Sequence, residues 1–112
     1  MNTELLCLLI VSHFLGDWIL QSRKMAINKS KNLGVLITHV LINGITLLPI
    51  TIMLGSWYGL GVYLILHGLQ DWFWWRLWSK YLDSKYYESA TFYNAIAIDQ
   101  TIHLVLLVLL IF

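Results

Sequence analysis

The sequence predicts an all-α fold, namely an integral membrane four-helix bundle whose helices run up and down, antiparallel to one another. Composition is the first observation: 59% of the 112 residues are hydrophobic and only 12% are charged. A soluble domain is about 45–50% apolar and about 25% charged. The second observation is that the apolar residues form four segments of membrane-spanning length. The third is that the period-two alternation of a membrane β-barrel is absent from the sequence.

The four predicted helices cover residues 3–20, 33–54, 57–78 and 91–112. Each holds about 20 residues, which is enough for a helix to cross about 30 Å of hydrocarbon. A helix also pairs its own backbone polar groups, as the membrane interior requires. We therefore expect residues 1–112 to form a single transmembrane domain.

The connections between the helices predict the orientation. Residues 21–32 contain four cations and no acid, and the connection between the third and fourth helices is also charged. The turn at Gly55 and Ser56 carries no charge. Because cytoplasmic connections are enriched in Lys and Arg, both charged connections are predicted to be cytoplasmic and both termini to lie outside.

Seven ionisable side chains interrupt the apolar segments. They include all four histidines of the chain, and they are His13, Asp17, His39, His67, Asp71, Asp99 and His103. Such groups are costly inside a membrane unless they are paired, so they usually mark a functional site.

Six of these seven residues form pairs that are spaced four residues apart, as in His13 and Asp17. Side chains at positions i and i+4 lie on one face of a helix. His39 has Asn43, an amide, at that spacing. In an antiparallel bundle the three aspartates all lie on the cytoplasmic side of their partner histidines and at a similar depth. The spacing therefore predicts one shared site inside the bundle.

Imidazole nitrogens and carboxylate oxygens together are typical ligands of a divalent transition metal, with zinc favoured. Seven donors could bind two ions with a bridging carboxylate and water, or one ion whose histidines are oriented by outer carboxylates. The sequence leaves both arrangements open. Two metal-free alternatives are structural hydrogen bonds within each pair and a proton relay.

Several short stretches together form a wider pattern, and these are His13-Phe14-Leu15-Gly16-Asp17 with Gln21, Met25-Ala26, Asn28-Lys29, His39, His67 to Asp71, and Asp99-Gln100 with His103. In this pattern the chain resembles a family of small bacterial and phage membrane proteins described as a domain of unknown function. It is similar, more distantly, to the membrane-bound metal-dependent hydrolases of bacterial inner membranes. The resemblance implies a four-helix metal site in a bacterial inner membrane.

The leading functional hypothesis is a metal-dependent hydrolase that acts on a lipid or lipid-linked ester or phosphoester from the cytoplasmic leaflet. A metal ion lowers the pKa of a bound water to about 7, which suits hydrolysis at neutral pH. Gln21, Lys24 and Lys29 are predicted to hold an anionic head group below the metal. The alternative for these lysines is topology signalling and contact with anionic lipids.

Two other functions remain open at this stage. A small proton or metal-ion transporter or channel subunit could use the same cluster, although four helices would then require a homo-oligomer. An accessory subunit could use the metal only to hold its helices together. The expected partners are the lipid bilayer, a lipid substrate and further copies of the chain. Nucleic acid is not expected as a partner, because the formal net charge is only +1 and the chain has no basic tail to neutralise phosphates.

Overall fold

The computed structural model of the protein describes residues 3–81 and 90–111, and this part of the chain contains helices and no β-strand. The helices are α1 (Thr3–Phe14), α2 (Arg23–Asn28), α3 (Leu33–Leu54), α4 (Trp57–Tyr81) and α5 (Ala90–Leu110). The all-α prediction is confirmed.

Some helix bounds differ from the predicted ones. The helix α3 occupies the expected range, whereas α4 continues past residue 78 to Tyr81, and α5 begins at Ala90 and ends at Leu110. The short helix α2 was not predicted, because six residues are too few to show a helical period. The second charged connection, residues 82–89, and Phe112 lie outside the described residues.

The first predicted helix changes character at its end. Beyond α1, residues Leu15–Ile19 form a π-helical segment, in which the Leu20 N–H donates to the Leu15 carbonyl at 2.9 Å. The predicted helix over residues 3–20 is thus divided into an α-helix and a π-helical segment that ends at Ile19. A β-carbon on Gly16 would lie 2.5 Å from Thr46 Oγ1, so glycine allows this segment to contact α3 closely. π-Helical turns are frequent at functional sites, and this one contains Asp17.

The helix α3 has a defined beginning and end. The Asn32 side chain accepts hydrogen bonds from the backbone N–H groups of Gly34 and Val35, at 2.9 and 3.2 Å. The helix ends at Gly55, whose φ of 67° is the left-handed conformation that glycine adopts at little cost. Ser56 Oγ then donates to the Ile111 carbonyl at 2.6 Å. The α3–α4 turn is thus held against the end of α5.

The interior of the bundle has an apolar half and a polar half. The helix α1 packs on α3, α3 packs on α4, and α4 packs on α5. The half near the α3–α4 turn contains a buried apolar cluster of Leu9, Leu47, Ile50, Leu60, Tyr63, Leu107 and Ile111. The ionisable residues lie in the half near the α2–α3 connection.

The outer surface of the bundle is strongly apolar. Large hydrophobic side chains are more than half exposed on every long helix, including Val11, Ile45, Ile65 and Leu109, while three aspartates and Lys29 are buried. A water-soluble protein shows the opposite distribution.

Membrane-spanning length and hydropathy are clear for one helix in residues 3–81 and 90–111. This helix is Leu33–Leu54, and Asn94–Leu110 is apolar but shorter. The mean hydropathy of α4 is lower because this helix contains the polar residues His67, Gln70 and Asp71. By length and composition, one described helix could therefore cross a membrane. The membrane-spanning character of the other predicted helices stays a prediction.

Candidate metal centre

The seven ionisable residues predicted to converge do lie together between the helices. Each of them is at most 1% exposed. Their donor atoms form overlapping groups, and within each group the atoms lie within 4.8 Å of one another. Among the described residues these groups are Asp17 with His39, His67 and Asp71; His13 with Asp17 and His103; and Asp71 with Asp99 and His103. Buried clusters of this composition could hold a metal ion.

The first group, which we call the four-donor group, has five donor–donor distances close to those of a tetrahedral site. Asp17 Oδ1 lies 2.9 Å from His39 Nε2 and 3.5 Å from His67 Nε2. Asp71 Oδ2 lies 3.0 and 3.2 Å from the same two nitrogens. The two nitrogens are 3.2 Å apart. Zinc bonds of about 2.0–2.1 Å place the ligands of a tetrahedral ion about 3.3–3.4 Å from one another, which agrees with these distances.

The carboxylate oxygens of this group are poorly satisfied by the protein itself. Asp17 Oδ1 and Asp71 Oδ2 are buried and make no hydrogen bond with any described residue. The ring nitrogens beside them, His39 Nε2 and His67 Nε2, lie within hydrogen-bond distance of each other. A buried polar group without a partner costs about 1–3 kcal/mol, and more when it is charged. A cation at the common point would satisfy both oxygens, so the donor set fits a divalent transition metal.

His103 lies on the other side of the same carboxylates. Its Nδ1 is 3.7 Å from Asp17 Oδ2, and its Nε2 is 3.7 Å from Asp99 Oδ1 and 3.9 Å from Asp71 Oδ1. Neither nitrogen has a hydrogen-bond partner within the described ranges. Asp17 and Asp71 therefore each direct one oxygen towards the four-donor group and the other towards His103. The two carboxylates face different nitrogens of His103, so the group that His103 Nε2 shares with Asp99 includes Asp71 and not Asp17.

A buried lysine adds one positive charge to the cluster. Lys29 is 4% exposed, and its Nζ lies 3.2 Å from Asp71 Oδ1. Burial alone would lower the pKa of Lys29, but the carboxylates of Asp71, Asp17 and Asp99 outweigh it and raise the pKa above 10.5. With neutral histidines, three carboxylates and one ammonium leave a net charge of −2. A divalent cation would neutralise this charge.

The three residues predicted to bind a head group have different surroundings. Lys29 faces inward to Asp71. Lys24 is exposed and lines an open depression of about 500 Å³ beside Asn32 and Thr38. Gln21 is half-buried, and its Oε1 has no hydrogen-bond partner in the described part of the chain. The structure thus places Lys29 inside the cluster and Lys24 on the surface.

Sequence reasoning gave no role in the site to Tyr63, and it named Gln100 only as part of the wider pattern. Tyr63 Oη lies 3.0 Å from His13 Nδ1 and 3.4 Å from His67 Nδ1. Gln100 Oε1 lies 2.9 Å from His13 Nε2, and Gln100 Nε2 donates to Asp17 Oδ2. Their spacing was a usable signal, because Tyr63 precedes His67 by four residues and Gln100 precedes His103 by three. Each therefore shares a helical face with a histidine.

These features define a class of protein, an all-helical bundle with a buried His/Asp cluster of metal-binding composition. The family described as Protein of unknown function (DUF3307) matches residues 5–112, so the chain belongs to this family. The expected resemblance to a domain of unknown function is confirmed. No curated protein and no solved structure matches the chain. The more distant similarity to membrane-bound metal-dependent hydrolases therefore gains no support from these comparisons.

Proposed function

We propose that the protein is a membrane-embedded metal-dependent hydrolase whose His/Asp cluster holds one or two divalent transition metal ions, with zinc favoured. The observation that carries the proposal is the tetrahedral spacing of four buried donors, Asp17 Oδ1, His39 Nε2, His67 Nε2 and Asp71 Oδ2. The proposed substrate is a lipid or lipid-linked ester or phosphoester that enters from the cytoplasmic leaflet.

The distribution of polar and apolar side chains supports a position in the membrane. Exposed residues such as Ile45 (69%) and Leu109 (75%) suit contact with lipid, and the ionisable groups are enclosed. The cations of residues 21–32 favour a cytoplasmic position for that connection, with both termini outside. We place the protein in the bacterial inner membrane, in keeping with the resemblance described above.

The side of the cluster around His103 suits hydrolysis. Asp71, Asp99 and His103 form a second donor group beside the four-donor group, and they would hold a second ion. When bound, such ions supply an activated water and stabilise the negative charge that develops on an ester. Gln70 Nε2 lies 3.3 Å from Asp99 Oδ1 and donates to it. This hydrogen bond orients Asp99, which we propose holds the second ion or accepts a proton from the water.

The apolar half of the bundle favours hydrolysis over transport. Leu9, Leu47, Tyr63 and Leu107 are fully buried and lie between the cluster and the α3–α4 turn. An ion that crossed the membrane would have to pass this packed layer. A substrate that arrives from the α2–α3 connection reaches the cluster without crossing it.

Metal content tests the proposal directly. Purified protein in detergent should carry one or two equivalents of transition metal after incubation with Zn²⁺. Asp71→Asn and His39→Gln should lose it, because each removes a donor of the four-donor group. Glu4→Gln, which changes an exposed carboxylate, should retain it. Wild-type protein without metal would contradict the proposal.

Activity is measured separately, with lipid-tailed esters and phosphoesters in mixed micelles. Metal-loaded protein should release the water-soluble product, and a chelator or Asp99→Asn should abolish the release. Flux of Zn²⁺ or protons through liposomes, without turnover of any of these substrates, would instead support the transporter.

A further inference from the structure

We propose that Gln100, His13 and Tyr63 form a one-directional hydrogen-bond chain from Asp17 to His67, which fixes the protonated nitrogen of His67. In this assignment the three are positioning residues, and His13 is not itself a metal ligand. The predicted effect on metal affinity rests on the proposed function, whereas the direction of the chain follows from hydrogen-bond chemistry.

The first link begins at Asp17, whose ionised carboxylate can only accept hydrogen bonds. The Gln100 group that contacts Asp17 Oδ2 must therefore be its NH₂. The other end of this amide, Oε1, is an acceptor and lies 2.9 Å from His13 Nε2. His13 must consequently carry its proton on Nε2.

The second link runs through Tyr63. A neutral imidazole carries one proton, so His13 Nδ1 is an acceptor, and the Tyr63 hydroxyl donates to it across 3.0 Å. This hydroxyl has no second proton. It can therefore only accept from His67 Nδ1, at 3.4 Å. His67 must carry its proton on Nδ1, which leaves a lone pair on Nε2.

The lone pair of His67 Nε2 is directed to the four-donor group. This nitrogen lies 3.2 Å from both Asp71 Oδ2 and His39 Nε2. A metal-bound histidine needs an unprotonated nitrogen towards the ion and a hydrogen bond that fixes the other nitrogen. Tyr63, His13 and His67 are fully buried, so water does not compete for these bonds.

The same hydrogen bonds leave His13 without a free ring nitrogen for a metal ion. Both of its nitrogens are engaged, one by Tyr63 and one by Gln100, and its Nε2 is 3.9 Å from Asp17 Oδ2. Binding an ion would require His13 to break one of these hydrogen bonds. The chain thus replaces the sequence-based prediction of His13 as a ligand with a supporting role.

Nitrogen NMR of ¹⁵N-histidine-labelled protein loaded with ¹¹³Cd²⁺ tests the assignment. His67 should show a protonated Nδ1 and cadmium coupling at Nε2. His13 should show a protonated Nε2, an unprotonated Nδ1 and no cadmium coupling. Cadmium coupling at His13, or a proton on His67 Nε2 in the loaded protein, would overturn the chain.

Variants supply a second readout. Tyr63→Phe and Gln100→Met should each weaken Zn²⁺ affinity by about 10–100-fold, as is typical for partners that orient metal ligands, and the His13 nitrogen spectrum should change in both. Tyr58→Phe is the matched control, because Tyr58 is 87% exposed. This variant should leave the Zn²⁺ affinity and the His13 nitrogen spectrum unchanged. Wild-type affinity and an unchanged His13 spectrum in both site variants would refute the positioning role.

The two proposals fail in different ways. If wild-type protein takes up neither Zn²⁺ nor Cd²⁺, the proposed function is wrong. The metal-free spectrum still decides the direction of the chain: a proton on His13 Nε2 that depends on Tyr63 supports it, and a proton on Nδ1 overturns it.

Discussion

Lys29 Nζ lies 3.2 Å from Asp71 Oδ1, so a residue of the α2–α3 connection forms a buried ion pair with the middle of α4. One residue further, the Ser30 carbonyl accepts a hydrogen bond from Arg76 Nε at 2.6 Å. These two contacts hold the connection against α4 beside the His/Asp cluster. The connection therefore borders the end of the site that we propose faces the cytoplasm.

Replacing Lys29 with methionine should destabilise the metal-free protein by about 3–5 kcal/mol, because Asp71 would lose its buried cation. Added Zn²⁺ should reduce this loss, since a bound divalent cation compensates the same carboxylate. Thermal unfolding in detergent with and without Zn²⁺ measures both effects. The control is Lys24→Met, at an exposed position. An equal loss in the control, or one that Zn²⁺ does not reduce, would contradict this role of Lys29.

The same ion pair predicts a pH dependence. The pKa of Lys29 is raised above 10.5 in the folded protein. A raised lysine pKa stabilises the fold fully below the unfolded-state pKa, and this contribution is lost as pH rises through the folded-state pKa. The stability difference between wild type and Lys29→Met should therefore be constant near neutral pH and shrink as the pH is raised above 10.5. If the stability difference already shrinks as the pH is raised near neutrality, the Lys29–Asp71 ion pair is not the source of that difference.

Asp99→Asn separates a two-ion centre from a one-ion centre. Asp99 lies beside His103 and outside the four-donor group. In a two-ion centre the variant should fall from two bound equivalents to one, because the second ion loses a carboxylate ligand. Elemental analysis beside wild type and Glu4→Gln measures this. An unchanged count of two would show that Asp99 is not a ligand, and a wild-type count of one would establish the one-ion arrangement.

Gly16→Ala should destabilise the protein by about 1–3 kcal/mol, the usual cost of overpacking. The added β-carbon would lie 2.5 Å from Thr46 Oγ1 and 3.1 Å from Asn43 Cα, which would push the π-helical segment and Asp17 away from α3. We expect weaker metal binding as well. Gly61→Ala is the control, since its β-carbon would meet no atom within 4 Å. Comparable unfolding temperatures and Zn²⁺ affinities for the two variants would argue against the close contact.

The proposed orientation predicts which residues a membrane-impermeant maleimide reaches. In a Cys7→Ser background, Tyr58→Cys should react in intact cells, and Lys31→Cys should react only after the membrane is opened. Both positions are exposed and lie at opposite ends of the bundle. Labelling of Lys31→Cys alone in intact cells would reverse the orientation. Equal labelling of both from one side would contradict a membrane-spanning bundle.

The sequence by itself determined the features that depend on local geometry. Helices follow from the long apolar segments, and positions four apart share a helical face in any α-helix. The pairs such as His67 with Asp71 therefore predicted a common polar face before the neighbours of that face were known. The cost of ionisable groups among apolar residues also predicted that these faces meet inside the bundle.

Only the tertiary structure decided which of these groups contact one another. The ring nitrogen nearest to Asp17 belongs to His39 on α3, at 2.9 Å, whereas its own helical neighbour His13 lies 3.9 Å away. The π-helical segment rotates Asp17 relative to α1, and the packing of Gly16 on α3 sets how closely the two approach. Lys29 faces inward for a similar reason, since its connection is held on α4. Helix rotation and register depend on packing across the whole bundle, so no local spacing encodes them.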